Sequence, residues 1–143
     1  MSSELIPPAK PYFPKSDIEE MKQHLERILI SGKLTLGEYT REFEQQFRDL
    51  VGVRHAVAVN SGTAALHIVL RTRALRHGDE VIVPTNTFGA SAAAVVFAGG
   101  IPVITDVCAP TMTLDEDIVK KAITPRTRGA IAVLQSRLPS LAS

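Results

Sequence analysis

Short apolar runs alternate with helical segments along most of this sequence. The predicted strands cover residues 55–59, 80–83, 102–106 and 129–133. Helices are predicted to begin at Thr63 and at about Gly89, between these runs. Such alternation favours parallel strands joined by right-handed crossovers, with ligands bound beyond the carboxyl ends of the strands. The predicted fold class is therefore α/β, with a mostly parallel sheet flanked by helices.

Two helices are predicted before the first of these strands. The segment from Ser16 to Glu19 has the spacing of a capping box and predicts the start of the first helix, which Gly32 ends. Aromatic residues at helical spacing then predict a second helix that ends at Gly52, and we interpret them as core anchors. These aromatic residues are Tyr39, Phe43 and Phe47.

The two ends of the chain and its last helix complete the predicted organisation. Residues 1–15, rich in proline, predict an extended N-terminal arm, residues 16–133 one partial domain, and residues 134–143 a divergent tail. Between Thr113 and Glu116 the sequence again has capping-box spacing and predicts a helix through Ala122.

Composition excludes several classes of partner. The chain has 143 residues, of which 45% are hydrophobic and 22% charged, so it can bury a sizeable core. Its net charge of +1 is spread without blocks, which favours small ligands over nucleic acid or a membrane surface. One cysteine, Cys108, and an N-terminus without signal-peptide character predict a cytoplasmic protein. The apolar stretch from Phe88 to Ile104 is cut by glycines and proline, so no membrane span is expected.

The turn formed by Asn60, Ser61, Gly62 and Thr63 follows an apolar run and opens a predicted helix. Glycine lets an anion approach the backbone closely, and the two hydroxyls add donors at the positive end of the helix dipole. The turn therefore predicts a phosphate-binding site. Taken alone, the Ser-Gly-Thr tripeptide is weak evidence for phosphate binding, because it is common as a purely structural turn from strand to helix.

Four other segments lie around this turn in a recognisable order. They are residues 31–37, 42–44, 78–88 and 100–106. Together with the turn they resemble the first half of the large domain of the DegT/DnrJ/EryC1/StrS sugar aminotransferases, a pyridoxal-phosphate-dependent family. The resemblance runs from about residue 11 to residue 133. It implies the amino-terminal part of a fold type I pyridoxal-phosphate transferase domain.

The resemblance implies roles for five residues. Ser61, Gly62 and Thr63 would hold the phosphate of pyridoxal 5′-phosphate or pyridoxamine 5′-phosphate, and Phe88 would stack on the pyridine ring. Thr35, in the loop between the first two helices, would donate to substrate or cofactor. Without the resemblance, Phe88 reads as a core residue and Thr35 as a residue that bonds its own backbone.

The resemblance also implies an activity for the parent protein. It would transfer an amino group, with glutamate as the expected donor, to a keto sugar linked to a nucleotide, for polysaccharide or amino-sugar biosynthesis, and it would act as a homodimer. The Schiff-base lysine and the carboxylate that protonates the pyridine come from later in the family's sequences. Lys33 lies in a polar loop and does not suit that role, so no catalytic residue is predicted. The chain is expected to be an amino-terminal fragment, inactive alone.

Two alternatives remain open at this stage. One is a sugar dehydratase of the same fold, and the other is a non-catalytic α/β module that binds a phosphate-bearing ligand. Dinucleotide and P-loop glycine motifs are absent, and the four histidines lack metal-ligand spacing. The adjacent Asp79 and Glu80 are interpreted as a strand start, since neighbours in a strand point to opposite faces. Asp106, at a strand end, is a weaker candidate for a polar contact in the site.

Overall fold

The computed structural model describes residues 11–134, so most of the proposed arm and all of the proposed tail but its first residue lie outside the described residues. The chain divides into two compact units, one up to residue 58 and one from residue 59, and each is described by itself. The helices are α1 (Lys15–Ser31), α2 (Glu38–Val51), α3 (Gly62–Thr72), α4 (Ala90–Phe97) and α5 (Glu116–Ala122). The strands are β1 (Glu80–Pro84), β2 (Ile101–Thr105) and β3 (Thr127–Ala130).

Helix α1 begins one residue before the predicted capping box. Pro14 occupies the N-cap position, and its carbonyl accepts a hydrogen bond from the N–H of Ile18 at 3.1 Å. The hydroxyl of Ser16 donates to the carboxylate of Asp17 instead of capping the helix. The predicted capping role of Ser16 is therefore wrong, because the proline fixes the backbone entry into the helix. The helix ends at Gly32, whose φ of 67° is the left-handed conformation expected there.

The aromatic residues of α2 are not core anchors among the described residues. Phe43 and Phe47 remain 59% and 48% exposed, and neither α1 nor α2 contains a buried residue. The contact between the two helices includes a stack of the His24 and Tyr39 rings, with centroids 4.9 Å apart. These helices are therefore amphipathic elements whose apolar faces stay largely exposed in the described chain.

The segment 55–59 does not form the predicted strand. None of the described strands pairs with it, and the N–H of Ala58 donates to the Glu44 carboxylate at 2.8 Å. Apolar, β-branched residues predict an extended backbone, but a strand also needs a neighbour that completes its hydrogen bonds. The described residues provide no such neighbour.

The second unit is built on a parallel three-stranded sheet with the order β2-β1-β3. Strand β1 lies in the centre and is buried along its whole length. Strand β3 begins earlier than predicted, with an irregularity in register beside Glu80 and Val81. Its hydrogen bonding continues one residue past Ala130, because the N–H of Ile131 donates to the Ile82 carbonyl at 2.9 Å. The predicted parallel α/β architecture is confirmed.

The core of this unit lies where α3 and α4 pack on the sheet. Val81 and Val83 of β1 contact Val95 of α4, and Leu70 and Leu75 pack against them. Gly100 leads into β2 in a tight space, because a Cβ there would lie 3.0 Å from the Leu75 side chain and 3.3 Å from the Asp79 carbonyl oxygen. Close packing of the turn before β1 on the start of β2 therefore favours glycine at this position.

Helix α5 is capped by a different residue from the one predicted. The carboxylate of Asp115 accepts from the N–H of Ile118 at 2.9 Å, so the helix begins at Glu116. Thr113 is buried and forms an isolated antiparallel bridge with Cys108, so it does not cap the helix.

The apolar stretch from Phe88 to Ile104 is divided between α4 and β2, as predicted. Within residues 11–134 no helix is both long enough and apolar enough to cross a membrane.

Candidate functional site

The first turn of α3 carries the predicted phosphate-binding residues. Ser61 is the N-cap, with extended backbone, and its Oγ accepts a hydrogen bond from the N–H of Ala64 at 3.1 Å. A serine hydroxyl that accepts one hydrogen bond still has its own hydrogen to donate. Ser61 can therefore cap the helix and contact an anion at the same time.

Gly62 and Thr63 present their backbone N–H groups beside this hydroxyl. Neither N–H donates to a protein acceptor within residues 11–134, as is usual for the first turn of a helix. Apart from its two neighbours in sequence and the backbone of its own helix, no atom of residues 11–134 lies within 4 Å of a Cβ built on Gly62, and the φ of Gly62 is not positive. The packing of the described chain thus does not require this glycine. The open space and the unsatisfied donors fit a phosphate group.

Phe88 lies in the loop between β1 and α4, at the carboxyl end of the central strand. Its side chain is 82% exposed, so the alternative of a core phenylalanine does not hold within the described chain. Its carbonyl accepts from the N–H of Ser91 at 3.0 Å, which fixes its backbone at the start of α4. An exposed aromatic face on a fixed backbone is suited to stacking on a flat ring.

The loop that carries Phe88 is held by three hydrogen bonds to neighbouring segments. The N–H of Thr85 donates to the Thr105 carbonyl at 2.9 Å. The amide of Asn86 donates to the Met112 carbonyl at 3.1 Å, and the Thr87 hydroxyl lies 2.8 Å from that of Ser91. Sequence reasoning did not assign these supporting roles. The signal for them was a polar run directly after a buried strand.

Thr35 belongs to the other compact unit. It lies exposed in the loop between α1 and α2, close in sequence to Lys33, which is also exposed. Its contact with substrate or cofactor stays a prediction, since the two units are described separately.

Asp79 and Glu80 lie at the amino end of β1 and are occupied by structural contacts. Both are buried, with 8% and 4% of their surface exposed. Asp79 pairs with Arg128, with 3.1 Å between Oδ1 and Nε, and Glu80 pairs with Arg126, with 2.5 Å between Oε1 and Nη2. A hydrogen bond from Thr124 and the Arg126 guanidinium hold the pKa of Glu80 below its ordinary value, although burial acts in the opposite direction. These carboxylates have the structural role expected from the sequence.

The remaining candidates give no second centre in the part of the chain described here. Asp106 is exposed, and its carboxylate accepts from the N–H of Val107 at 2.8 Å. Cys108 is half-buried, and its N–H donates to the Thr113 carbonyl. Across residues 11–134, no group of histidine, cysteine and carboxylate side chains has the geometry of a metal site.

Three curated proteins with similar sequences have names that refer to polysaccharide biosynthesis, to a sugar nucleotide and to a sugar phosphate. The spore coat polysaccharide biosynthesis protein SpsC of Bacillus subtilis is 38% identical over 128 residues, which are 90% of this chain. GDP-perosamine synthase of Caulobacter vibrioides is 40% identical over 84% of the chain. A 3-oxo-glucose-6-phosphate:glutamate aminotransferase of Bacillus subtilis is 37% identical over 82% of the chain. The chain spans only 26–32% of the lengths of these relatives.

Solved structures of similar fold lead to the same group of proteins. NtdA from Bacillus subtilis, crystallised with bound cofactor PMP, matches 83% of this chain and 27% of its own, with a TM-score of 0.79 and 35% identity. DesV from S. venezuelae, solved in complex with a ketimine intermediate, matches 82% of this chain and 33% of its own, with a TM-score of 0.74 and 41% identity.

The sequence profile of one family covers nearly all of the described residues. It is the profile of the DegT/DnrJ/EryC1/StrS aminotransferase family, and it matches residues 15–135. That range includes the α3 turn, Phe88 and the whole three-stranded sheet. The chain therefore belongs to the DegT/DnrJ/EryC1/StrS aminotransferase family.

Proposed function

We propose that this chain forms the cofactor-phosphate part of a pyridoxal-phosphate-dependent aminotransferase that acts on nucleotide-linked keto sugars. The observation that carries the proposal is the first turn of α3. Two backbone N–H groups there have no acceptor among residues 11–134, a serine hydroxyl caps the helix beside them, and the space at Gly62 is open. A relative named as a 3-oxo-glucose-6-phosphate:glutamate aminotransferase, another named GDP-perosamine synthase, and a similar structure with bound PMP support the same role.

The residues of this chain would hold the cofactor at two points. Ser61, Gly62 and Thr63 would donate hydrogen bonds to the phosphate at the positive end of the α3 dipole. Phe88 would pack against the face of the ring from its fixed loop. When bound, the cofactor supplies an electron sink that stabilises negative charge on the carbon next to the amino group. Proton transfer would need a lysine that we do not assign in this chain.

The substrate class is the finer part of the proposal. One relative is named for GDP-perosamine and another for 3-oxo-glucose 6-phosphate with glutamate. Both names describe a sugar that carries phosphate, and the second names the amino donor. We favour the nucleotide-linked sugar and glutamate, with Thr35 contributing a hydroxyl to substrate or cofactor.

The proposed assembly is a homodimer in the cytoplasm. Extensive apolar surface on α1 and α2 supports association, because both helices lack buried residues among the described ones. The single cysteine agrees with a reducing compartment.

The test uses pyridoxamine 5′-phosphate, because it lacks the aldehyde that labels exposed lysines. It is titrated into the chain, and binding is followed by ring absorbance and by NMR of the amides of residues 62–64. We expect saturable binding that is lost with pyridoxamine, which has no phosphate, and lost again in Gly62→Val, whose side chain would fill the open space. Gly129→Ala is the matched control, since a Cβ at Gly129 also meets nothing within 4 Å.

Two outcomes would contradict the proposal. Equal binding of pyridoxamine and its phosphate would remove the role of the α3 turn. Equal binding to the wild type and to Gly62→Val would make the turn purely structural. Titration with NAD and ATP distinguishes an aminotransferase from the alternative of a non-catalytic α/β module. Tighter binding of either nucleotide than of pyridoxamine 5′-phosphate would favour the non-catalytic module.

A further inference from the structure

A groove of about 500 Å³ lies in the first unit, between the end of α1 and the start of α2. The charged side chains that line it come from α1, from the connecting loop and from α2. They are Arg27, Lys33, Glu38 and Arg41. Its volume is within the range of small-molecule sites. The family resemblance assigned nothing to these four residues.

The charges in the groove do not cancel. Three cations face one carboxylate, which leaves two positive charges. None of the three cations forms an ion pair among residues 11–134, whereas Lys22 and Arg48 on the same two helices pair with Glu19 and Asp49. Since three cations share the groove with a single carboxylate, its net charge is complementary to a doubly charged anion.

The backbone around the groove also favours a negatively charged ligand. Gly37, the N-cap of α2, provides no side-chain cap, so the first N–H groups of that helix remain available as donors. The carbonyls at the end of α1 are already occupied, because Ile28 accepts from the Gly32 N–H and from the Ser31 hydroxyl. The negative end of α1 is thereby partly satisfied, and the positive end of α2 is not.

The connecting loop is held in the shape that forms the groove. The N–H of Lys33 donates to the Ser31 hydroxyl at 3.2 Å. The backbone returns so closely that a Cβ on Gly37 would lie 3.3 Å from the Lys33 carbonyl. The stem of Lys33 and the start of α2 are therefore brought together before any ligand binds.

We infer that this basic groove binds a doubly charged phosphate-class anion through Arg27, Lys33 and Arg41, with help from the first N–H groups of α2. Guanidinium groups suit this ligand because their planar donors match phosphate oxygens. All the residues that line the groove belong to the first unit, whereas the α3 turn belongs to the second unit. The inference therefore rests on other residues than the proposed cofactor site does, and it can be tested apart from that site.

The test is an NMR titration of the chain with pyrophosphate, inorganic phosphate and UDP, each against sodium chloride at equal ionic strength. Saturable shifts are expected in the amides of residues 37–41. Arg27→Gln and Arg41→Gln should each weaken pyrophosphate binding about 2- to 5-fold. Glu38→Gln should strengthen it by a similar factor, a gain that misfolding cannot imitate. Arg48→Gln is the matched control and should leave the affinity unchanged, because its partner is Asp49.

Shifts that sodium chloride reproduces, or equal affinities in wild type, Arg27→Gln and Arg41→Gln, would overturn the inference. Tighter binding of UDP than of pyrophosphate would identify a nucleotide as the source of the anion. Equal binding of the two would identify the diphosphate alone as the recognised group. Shifts at residues 62–64 report the α3 turn separately, so a failure at one site leaves the other readable.

Discussion

The two ends of strand β1 differ in whether the side chains beside them are buried in contacts with the protein or left exposed. At the amino end, Asp79 and Glu80 are buried and paired with arginines before and within β3. At the carboxyl end, the chain passes into a fixed loop that leaves Phe88 exposed. Buried charges with complete partners indicate a structural joint, whereas an exposed aromatic residue on a fixed loop indicates a place for a ligand. A perturbed carboxylate is therefore the poorer guide to function in this molecule.

The amino end works as a joint because its carboxylates join segments far apart in sequence. Asp79 accepts from the N–H of Arg76 at 2.8 Å and also pairs with Arg128. Glu80 accepts from Arg126 at 2.8 Å and from the Thr124 hydroxyl at 2.5 Å. These contacts hold the edge strand β3 in register beside β1. Changes at this end should alter stability, and changes at the other end should alter binding.

The largest expected effect follows replacement of Glu80 by alanine. The change leaves Thr124 and Arg126 without their shared acceptor, so the free energy of unfolding should fall and β3 should loosen first. Urea denaturation at pH 7 measures the loss, and hydrogen exchange of residues 127–131 locates it. The matched control is Glu116→Ala, which breaks an exposed pair with Lys120 and should cost far less. An equal loss of unfolding free energy in both variants would contradict the proposal that the contacts of Glu80 stabilise the pairing of β3 with β1.

Acid should remove the same contribution without a mutation. The pKa of Glu80 is lowered from an ordinary value of 4.5, chiefly by the Thr124 hydrogen bond. A lowered pKa contributes stability that is fully present above about pH 4.5 and is lost as pH falls through the folded-state pKa. The difference in unfolding free energy between wild type and Glu80→Ala should therefore shrink below that pH. A difference that stays constant between pH 7 and pH 3 would argue against this linkage.

Asp79→Ala should give the next largest effect. It removes a hydrogen bond to Arg76 and the pair with Arg128, and we expect a loss of about 1–3 kcal/mol in unfolding free energy. Binding of pyridoxamine 5′-phosphate per folded molecule should not change. A variant that keeps its stability but loses binding would reverse the roles of the two ends.

Phe88→Ala should do the opposite of the carboxylate variants. Loss of a stacked ring should weaken pyridoxamine 5′-phosphate binding by about 0.5–1.5 kcal/mol, or roughly 2- to 12-fold. Thermal stability without ligand should stay unchanged, because the side chain is already 82% exposed. Phe97→Ala is the control, since that ring lies near His67 at 6.0 Å and should not affect binding. A large drop in melting temperature in Phe88→Ala would mean that the ring packs structurally.

The smallest effect is expected from Gly62→Ala, which should change stability and binding in opposite directions. Alanine suits a helical backbone better than glycine, so the unfolding free energy should rise by up to about 1 kcal/mol. Phosphate affinity should fall, because the added methyl group enters the open space. Thermal melts with and without phosphate separate the two effects. A destabilised variant would show that glycine is needed for the fold.

Much of the fold could be predicted because it depends on local rules and on a simple topology. The glycines that end α1 and α2 adopt the expected left-handed conformation, and the parallel sheet follows from the alternation of strands and helices. Failures came where tertiary context decides. Among residues 11–134 the segment 55–59 has no neighbouring strand, and Thr113 is drawn into a bridge with Cys108.

The candidate site was easier to locate in the sequence than to interpret. Phe88 follows β1 closely, so its position near that strand end was readable from the order of the segments. The α3 turn follows the segment 55–59, which forms no strand among the described residues. The exposure of the Phe88 side chain could not be predicted from the sequence, and it is this exposure that distinguishes a residue available to a ligand from a core residue. The basic groove escaped sequence reasoning because Arg27 and Arg41 lie on different helices, and only the return of the connecting loop brings them together.

The hydroxyl of Ser61 limits which residues evolution could accept at that position. Aspartate would cap α3 as well as serine does, but it would bring a negative charge to the place where an anion binds and would have no proton to offer. Alanine would leave both tasks undone. A residue selected only for helix strength would therefore differ from one selected for recognition as well. Libraries of variants at Ser61 that are screened for thermal stability alone should therefore enrich aspartate, and the enriched variants should lose affinity for phosphate.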